Sequence, residues 1–490
     1  MSTDRDGEVA SPHHGPDEAF PRHRWGESNR FVPRTFVQPF QRLMHEETTG
    51  GVVMLIAALV AIVWANSPFF HSYEDLWHHT EIGFEIGDLL HVEHSLAHWV
   101  NDALMALFFF MMALEIKREL LFGHLRDPRA AALPAIAAVG GMVIPASIFF
   151  AMNAGGAGVD GWGIPMATDI AFAVGVVALV GKRVSPGARV FLLSLAIVDD
   201  IGAIIVIALF YTESVSFGWL AAAVVGLVVV DVMRRIDVRS HALILPLGIF
   251  VWLCVLESGI HATIAGVALG FLTPAWPFYD PHRFAGSALP LVNRVQRNFD
   301  DGLTHAEAEE NEHVMADLVR LSRETMSPLQ RHLFLLEPWV AFGIVPLFAL
   351  ANAGVRFVDG VEGMDNAVTF GVAAGLILGK TIGVFGATWI AVKAGIGRLP
   401  DRTNWSHVVG LAMCSGIGFT VALFVANLAY PDAAALQDSA KIGILGGSFV
   451  AGVLGFGILR LQKPLVDEPP AAAAGGAETP ASRAVEGSAH

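Results

Sequence analysis

The chain has 490 residues, of which 54% are hydrophobic and only 16% are charged, with a formal net charge of −15 at pH 7. Soluble domains carry about 25% charged residues, so this composition excludes an ordinary soluble enzyme and predicts an all-α polytopic membrane protein. The acidic balance gives no indication of nucleic-acid binding, and Cys254 and Cys414 both lie in apolar runs, which indicates neither a disulfide framework nor a metal site.

Twelve apolar runs follow a polar N-terminal segment. Residues 1–40 are rich in arginine, histidine and proline and lack a cleavage signal, which predicts a disordered cytoplasmic extension. Runs of about 20 apolar residues are long enough to cross a bilayer as helices. The predicted spans lie near 48–66, 97–121, 130–152, 162–180, 188–211, 217–233, 241–257, 259–273, 334–355, 367–393, 407–430 and 441–461. Residues 41–463 are thus predicted to form one domain of twelve helices, with the long loop 274–333 inside it, and 464–490 are predicted to be a disordered cytoplasmic tail.

Two polar connections break the series of spans. Between spans 1 and 2, EIGFEIGDLLHVEHSL alternates apolar and polar residues around Gly87-Asp88, which predicts a short β-hairpin. A two-stranded hairpin is marginal alone, so we expect a partner protomer to cover it. The second connection, 274–333, is a long cytoplasmic loop with an amphipathic helix expected around 304–324.

The positions of the basic residues set the orientation. With the N-terminus inside and twelve crossings, only Arg356 and Lys441 of the 31 lysines and arginines lie on the outer side, and only Lys380 lies within a span. By the positive-inside rule, both termini face the cytoplasm.

Span 5 reads LSLAIVDDIGAII and contains Asp199 and Asp200 side by side. One carboxylate near the centre of a span costs roughly 3 kcal/mol on insertion scales, so two in a row indicate a function. Consecutive helical residues point about 100° apart, so one aspartate is expected to bind a ligand while the other gates or pairs. Burial and mutual repulsion make such carboxyls exchangeable between a proton and a hard cation. The alternative is a pair that only hydrogen-bonds neighbouring helices.

Spans 4 and 11 both contain helix-breaking residues. In span 4, Pro165 interrupts the helix and Thr168 and Asp169 follow near mid-depth; alternatively, Pro165 merely kinks the helix. In span 11, Gly416, Gly418 and Thr420 predict a second break, although such glycines also serve close packing. The two spans are seven crossings apart, so units 3-4-5 and 10-11-12 have opposite orientations, the pattern of an inverted repeat. Asp169 could offset the positive helix ends at the crossing, and Lys380 the negative ones.

Two further charged groups need partners. Lys380, in the middle of span 10, calls for a counter-charge, and a purely structural ion pair with Asp199 or Asp169 is the simplest interpretation. At the cytoplasmic end of span 2, Glu115 and Arg118 have the spacing of a same-face ion pair, and Glu119 adds a like charge. That group could sense pH or simply anchor the helix end; Asp102 lies farther up the same span.

The motifs together resemble those of a known family. ATDIAFAVGVVALVGKRV, LSLAIVDDIGAIIVIALFYT, ALEIKREL, PLFALANAGV, LGKTIG and CSGIGFTVALF occur in this order and resemble the NhaA-type sodium/proton antiporters, over about residues 40–460. The resemblance implies a bacterial plasma-membrane protein that is not an enzyme. It implies electrogenic exchange of two inward protons for one outward sodium or lithium ion, pH regulation and no cofactor.

The resemblance also implies residue roles. Asp200 would be the main sodium ligand and proton carrier, with Asp199 as second proton carrier and gate. Thr168 would join them at the sodium site, and Thr168 and Asp169 would lie opposite Gly416–Thr420 where two broken helices cross. Lys380 would pair with the first aspartate of the dyad, and Glu115, Arg118, Glu119 and Asp102 would lie in or near the pH sensor. The expected partners are membrane lipids and a second copy of the chain, bound through the hairpin.

The chain departs from the family pattern before span 9. It reads RHLFLLEPW, so Leu333, Phe334 and Glu337 replace the usual glutamate and histidines, with His332 nearby. The resemblance therefore predicts transport and makes Glu337 a further pH-sensing candidate, but it does not carry over the pH set point. A passive cation channel is the alternative. Flux measurements would distinguish it, because a channel would conduct sodium without moving protons. An intramembrane aspartyl protease would need Gly-x-Gly-Asp and Pro-Ala-Leu motifs, which the sequence lacks.

Overall fold

The computed structural model describes residues 47–86, 90–212, 215–238, 240–300, 305–356 and 365–464. The predicted extension 1–40 lies outside the described residues, as does the predicted tail except for residue 464. The helices in chain order are α1 (Glu47–Ala65), α2 (Phe70–Glu74), α3 (Leu96–Phe122), α4 (Pro128–Asn153), α5 (Ile170–Val180), α6 (Pro186–Phe210), α7 (Phe217–Arg235), α8 (His241–Glu257), α9 (Thr263–Leu272), α10 (Phe284–Asp300), α11 (His305–Thr325), α12 (Pro328–Asn352), α13 (Asn366–Lys393), α14 (Trp405–Cys414), α15 (Phe419–Ala429) and α16 (Ala434–Arg460).

Length and hydropathy separate the helices that can cross a membrane from the rest. In the described residues, eight helical segments are long and apolar enough to do so, and the bent pair α14 and α15 makes a ninth. The helix axes of that pair differ by 47°. Three shorter apolar helices, α1, α8 and α9, coincide with the remaining predicted spans. The turn between α8 and α9 contains Gly259 with a φ of +79°, a value that glycine adopts without strain, and it keeps these two helices separate.

The outer surface of the helical bundle is apolar. Leu209, Val225 and Phe449 expose 71%, 62% and 71% of their areas, and large aliphatic side chains extend over neighbouring turns of α7 and α16. A soluble monomer rarely exposes contiguous apolar surface of this extent. The chain is therefore a multi-pass, all-helical membrane protein whose outer side chains face lipid.

The predicted hairpin is present after the short helix α2. Strands β1 (Glu81–Ile86) and β2 (Leu90–Ser95) pair antiparallel, with Glu81 opposite Ser95 and Ile86 opposite Leu90. The predicted turn residues Gly87-Asp88 lie outside the described residues. The pair forms a two-stranded sheet on its own, so the described part of the chain gives neither strand a second neighbour.

The long connection between α9 and α12 contains two helices rather than the single one expected. Helix α11 matches the helix predicted around 304–324, and α10 was not predicted because Gly286 and Pro290 weaken its helical signal. The amide of Asn298 on α10 donates to Asn311 on α11 at 2.9 Å, and Arg294 lies 3.7 Å from Glu310. The two helices therefore pack as a pair.

Small residues bring α4 and α13 into close contact. A Cβ atom on Gly140 would overlap the carbonyl of Gly383, and one on Gly141 would lie 2.7 Å from the Val384 side chain. Such glycine contacts let helix backbones approach where a larger residue would hold them apart. The contact holds α13, with Lys380 on it, against α4.

Candidate functional site

Two interrupted helices meet in the middle of the bundle. Ahead of α5, a 3₁₀ helix (Val159–Met166) ends in an extended stretch at residues 167–169. The extended stretch therefore begins at Ala167, two residues after Pro165, where the break was expected. The 3₁₀ helix accommodates that proline and continues to Met166. The other interruption separates α14 from α15. The Asp169 amide donates to the Ile417 carbonyl at 2.6 Å, so the two breaks satisfy each other's backbone groups.

Asp169 caps two helices at this crossing. Its Oδ1 accepts from the Phe172 amide at 3.2 Å, at the start of α5. Its Oδ2 accepts from the Thr420 hydroxyl at 2.6 Å and from the Thr420 amide at 3.2 Å, at the start of α15. A carboxylate placed here offsets the partial positive charge of both helix N-termini. Sequence reasoning anticipated this role for Asp169.

The glycines of span 11 let backbones approach at the crossing. A Cβ atom on Gly416 would overlap the Leu376 carbonyl, and one on Gly418 would lie 2.8 Å from the Ala167 carbonyl. The Gly418 amide donates to the Ser448 hydroxyl at 3.2 Å. Both glycines are therefore required by contact with neighbouring main chain, and they also flank the break.

A buried ion pair lies beside the crossing. The Lys380 ammonium donates to Asp199 Oδ2 at 2.5 Å, and neither side chain is exposed to solvent. The Thr168 hydroxyl donates to the same oxygen at 2.7 Å and lies 2.8 Å from the Ser415 carbonyl. Of the two counter-charges considered for Lys380, the structure selects Asp199, and the lysine offsets this carboxylate rather than a helix C-terminus.

Asp200 has a different environment from its neighbour. Its side chain is buried, with 2% of the residue exposed. Within the described part of the chain, neither of its carboxyl oxygens has a hydrogen-bond partner. A buried carboxyl without a partner is costly, and the cost falls when the group holds a proton or a cation. Successive residues of α6 point in different directions, and this accounts for one aspartate being paired and the other open.

The pH-sensing candidates lie at two separate places. Arg118 lies 3.3 Å from Glu115, and Glu337 and Glu119 are near enough to repel the Glu115 carboxylate. Glu119 also accepts from the His124 amide at 2.7 Å. Asp102 lies sixteen residues before Arg118 on the same helix, where its carboxylate is 3.0 Å from the His98 ring. It is therefore not part of the Glu115 group.

A vestibule of about 800 Å³ opens on the side of the hairpin. Burial and the nearby Lys441 ammonium lower the pKa of His78 on its wall, so this histidine adds no positive charge at neutral pH. Sequence reasoning missed the amides of the vestibule, because single asparagines near helix ends carry no charge that marks them in the sequence. They are Asn101, Asn352 and Asn427.

The donor set of the site is made of oxygen atoms. It contains the Asp199 and Asp200 carboxylates, the Thr168 hydroxyl and the Ser415 carbonyl. Oxygen donors of this kind suit hard cations such as sodium rather than transition metals. Within the described residues, no three or more histidine, cysteine or acidic side chains form a group that could hold a metal ion.

Comparisons with known proteins identify a family that covers most of the chain. Residues 41–459 match the family model described as Na+/H+ antiporter 1. The chain is 44% identical over 432 residues to the Na(+)/H(+) antiporter NhaA of Rhodopirellula baltica, covering 88% of this chain and 96% of that protein. It is 44% identical to that of Wolinella succinogenes (86% and 92% covered) and 40% identical to the NhaA 1 protein of Saccharophagus degradans (90% and 94% covered).

Proposed function

Because the chain belongs to the NhaA family and is a Na+/H+ antiporter of the membrane, a transporter and not an enzyme, we propose that Asp199 and Asp200 carry the exchange. One observation supports this assignment above the others. Asp200 is a buried carboxyl with no partner in the described part of the chain, directly beside a carboxylate whose charge is balanced by Lys380. A site built in this way can hold either a proton or a cation on Asp200, while the pair beside it stays near neutral.

Competition for the same oxygens couples the two fluxes. Cytoplasmic sodium displaces protons from the aspartates, and carboxylate, hydroxyl and carbonyl oxygens partly replace its hydration shell. The loaded site then opens outward, where protons driven by the membrane gradient displace the sodium. A carrier that bound both ions at once would leak. We propose that the exchange is electrogenic, two protons for one sodium, and that lithium is also carried, as the family resemblance implies.

We propose that Asp200, Asp199 and Thr168 form the sodium site. The Thr168 hydroxyl already joins Asp199 to the Ser415 carbonyl at the crossing. Sodium would bind beside this network, at the Asp200 carboxyl oxygens that have no hydrogen-bond partner in the described residues. Lys380 then balances the charge of Asp199. When Asp199 takes a proton, Lys380 loses its ion-pair partner, so binding of the second proton changes the conformation of the site.

The topology proposed for the carrier has twelve crossings and both termini in the cytoplasm of a bacterium. The nine long spans and the three shorter apolar helices of the described residues together supply this number. Units 3-4-5 and 10-11-12 then form an inverted repeat, with the interrupted helices of spans 4 and 11 crossing at the midplane. The predominance of lysine and arginine on one side supports the orientation.

We propose that Glu115, Arg118, Glu119 and Glu337 regulate the carrier by pH, and that Asp102, which pairs with His98, lies apart from this group. Glu115→Gln removes a charge that repels Glu337 and frees Arg118 to favour the remaining carboxylates. If their deprotonation activates the carrier, exchange should begin at a more acidic pH than in the unmodified protein. Asp102→Asn, at the other end of α3, is the matched control. An unchanged onset in Glu115→Gln would remove this group from pH sensing.

We propose that the hairpin joins two protomers. Its two strands have no further strand beside them in the described residues, and Ile82 is 50% exposed, whereas isolated two-stranded sheets are marginally stable. Replacing residues 82–94 with a short glycine-serine linker should convert a dimer into a monomer, measured by native mass spectrometry, while vesicles retain exchange. A dimer that persists after this deletion would place the interface elsewhere.

Exchange itself is tested in acidified everted membrane vesicles with a pH-sensitive dye. Sodium or lithium should release protons from the vesicle lumen between pH 6 and 9, and potassium serves as the comparison ion. Sodium flux without proton movement would instead indicate a channel. No response to any cation, with the folded protein present in the membrane, would contradict the proposed exchange.

A further inference from the structure

Three asparagine side chains meet at the floor of the vestibule. Asn352 Nδ2 donates to Asn101 Oδ1 at 2.8 Å, and Asn101 Nδ2 donates back at 3.3 Å. Asn427 Nδ2 donates to Asn352 Oδ1 at 2.7 Å. The three residues come from α3, α12 and α15, so one small network of neutral amides joins three helices that are distant in sequence.

An aromatic layer lies directly below these amides. On α15, Thr420, Phe424 and Asn427 occupy successive turns, so Phe424 separates the amides from the helix crossing. Its ring centroid is 5.4 Å from that of Phe109 on α3 and 6.4 Å from that of Phe348 on α12. Phe424 is 1% exposed and Phe348 is fully buried. The vestibule is thus closed at its floor, first by amides and then by aromatic rings.

The network joins parts of the chain that the proposed mechanism requires to move apart. Under the proposed inverted repeat, α15 belongs to the unit opposite the aspartate pair, whereas α3 and α12 lie outside both units. A path from Asp200 to the vestibule needs α15 to separate from α3 and α12. The Asn427–Asn352 hydrogen bond crosses that boundary, but the Asn101–Asn352 pair lies wholly on one side of it.

We infer that the Asn427–Asn352 hydrogen bond is the latch of the closed outer gate, and that Asn101 positions the Asn352 amide to accept it. The inference rests on the proposed alternating access of the antiporter. A neutral hydrogen bond is weak enough to break in every transport cycle, and vestibule water satisfies both amides when they part. Neutral amides also place no fixed charge at the floor of the vestibule, where a charge would trap or repel sodium.

Reversible crosslinking distinguishes a latch from a fixed contact. Asn352→Cys/Asn427→Cys is made in a background with the two buried native cysteines replaced by alanine. The purified protein is bridged in detergent with a short bifunctional methanethiosulfonate, reconstituted into liposomes and assayed for sodium-driven proton movement. Asn101→Cys/Asn352→Cys, treated in the same way, is the matched control, because both of its residues lie on one side of the boundary.

We expect the bridge between positions 352 and 427 to cause loss of exchange that a reducing agent restores, and exchange by the protein bridged between positions 101 and 352 to equal that of the same variant after reduction. Continued exchange by fully bridged 352–427 protein, with bridging verified by mass, would show that these residues do not part. Loss with both pairs would show that any bridge obstructs the floor, and would also overturn the assignment. Exchange by the reduced proteins tests the antiport function separately.

A second measurement avoids the crosslinker. Phe424→Cys, just below the amides, reports how often the floor opens to a membrane-impermeant thiol reagent added from the hairpin side. Asn427→Ala should raise its rate of modification relative to the same cysteine with Asn427 intact. An equal rate in both backgrounds would count against the latch.

Discussion

Asp200→Asn is expected to abolish sodium-driven proton release while leaving the folded protein intact. Asparagine has nearly the same shape as aspartate, but it carries no charge for sodium and no proton that it can exchange. Because the Asp200 carboxyl has no hydrogen-bond partner in the described part of the chain, its replacement removes no structural contact. The measurement is dye recovery in everted vesicles on addition of sodium or lithium.

Asp231→Asn is the matched control for this prediction. Asp231 pairs with Arg234 and Arg235 at the end of α7, far from the aspartate pair in sequence and exposed enough that its loss costs little. It should retain exchange. Exchange at the normal rate in Asp200→Asn, with the protein present at equal amount, would remove Asp200 from the transport site.

Lys380→Ala is expected to lower the free energy of unfolding by about 3–5 kcal/mol, because it leaves the Asp199 charge buried without its partner. Lys380 and Asp199 are both fully buried, and the ammonium is 2.5 Å from the carboxylate oxygen. The measurement is the thermal unfolding midpoint of the detergent-solubilised protein. The Lys380→Ala protein that stays folded should also show altered electrogenicity, because the positive charge that balanced Asp199 is absent.

Neutralising the partner tests the cause of that loss. Asp199→Asn combined with Lys380→Ala removes both members of the ion pair, and the oxygen of the introduced amide can still accept from the Thr168 hydroxyl. The double variant should therefore unfold at a higher temperature than Lys380→Ala alone. Equal midpoints for the single and double variants would show that Lys380 stabilises the bundle by its packing rather than by its charge.

Hydropathy predicted the fold because lipid imposes a length and an apolar surface on each crossing helix. The same reasoning located the hairpin from its alternation and placed the interruptions in spans 4 and 11. It misjudged where span 4 breaks, since a 3₁₀ helix can absorb Pro165 and continue to Met166. It also missed α10, in which a glycine and a proline weaken the local signal while packing against α11 holds the helix.

The residues of the site could be predicted where a charged side chain lies in an apolar span, because its burial costs free energy. Asp169, Asp199, Asp200 and Lys380 stand out because charge in an apolar span needs a reason. Burial alone left Asp199 and Asp169 as possible partners of Lys380, and only the family resemblance singled out Asp199, because the pairing depends on how α6 and α13 rotate against each other. The three asparagines escaped notice for a related reason: a single amide at a helix end costs little until tertiary packing buries it against two others.

Competition between sodium and protons for the aspartate pair is the central claim, and the apparent KM for sodium as a function of pH tests it most directly. The ligands must be deprotonated to bind the cation. In proteoliposomes, at pH values below the range in which the site loses its protons, this KM should therefore rise about tenfold per pH unit for each proton that competes with sodium. At pH values above the onset set by the Glu115 group, the maximal rate at saturating sodium should stay nearly constant. A constant KM with a falling maximal rate would show that protons silence the carrier from another site, and would contradict competition at Asp199 and Asp200.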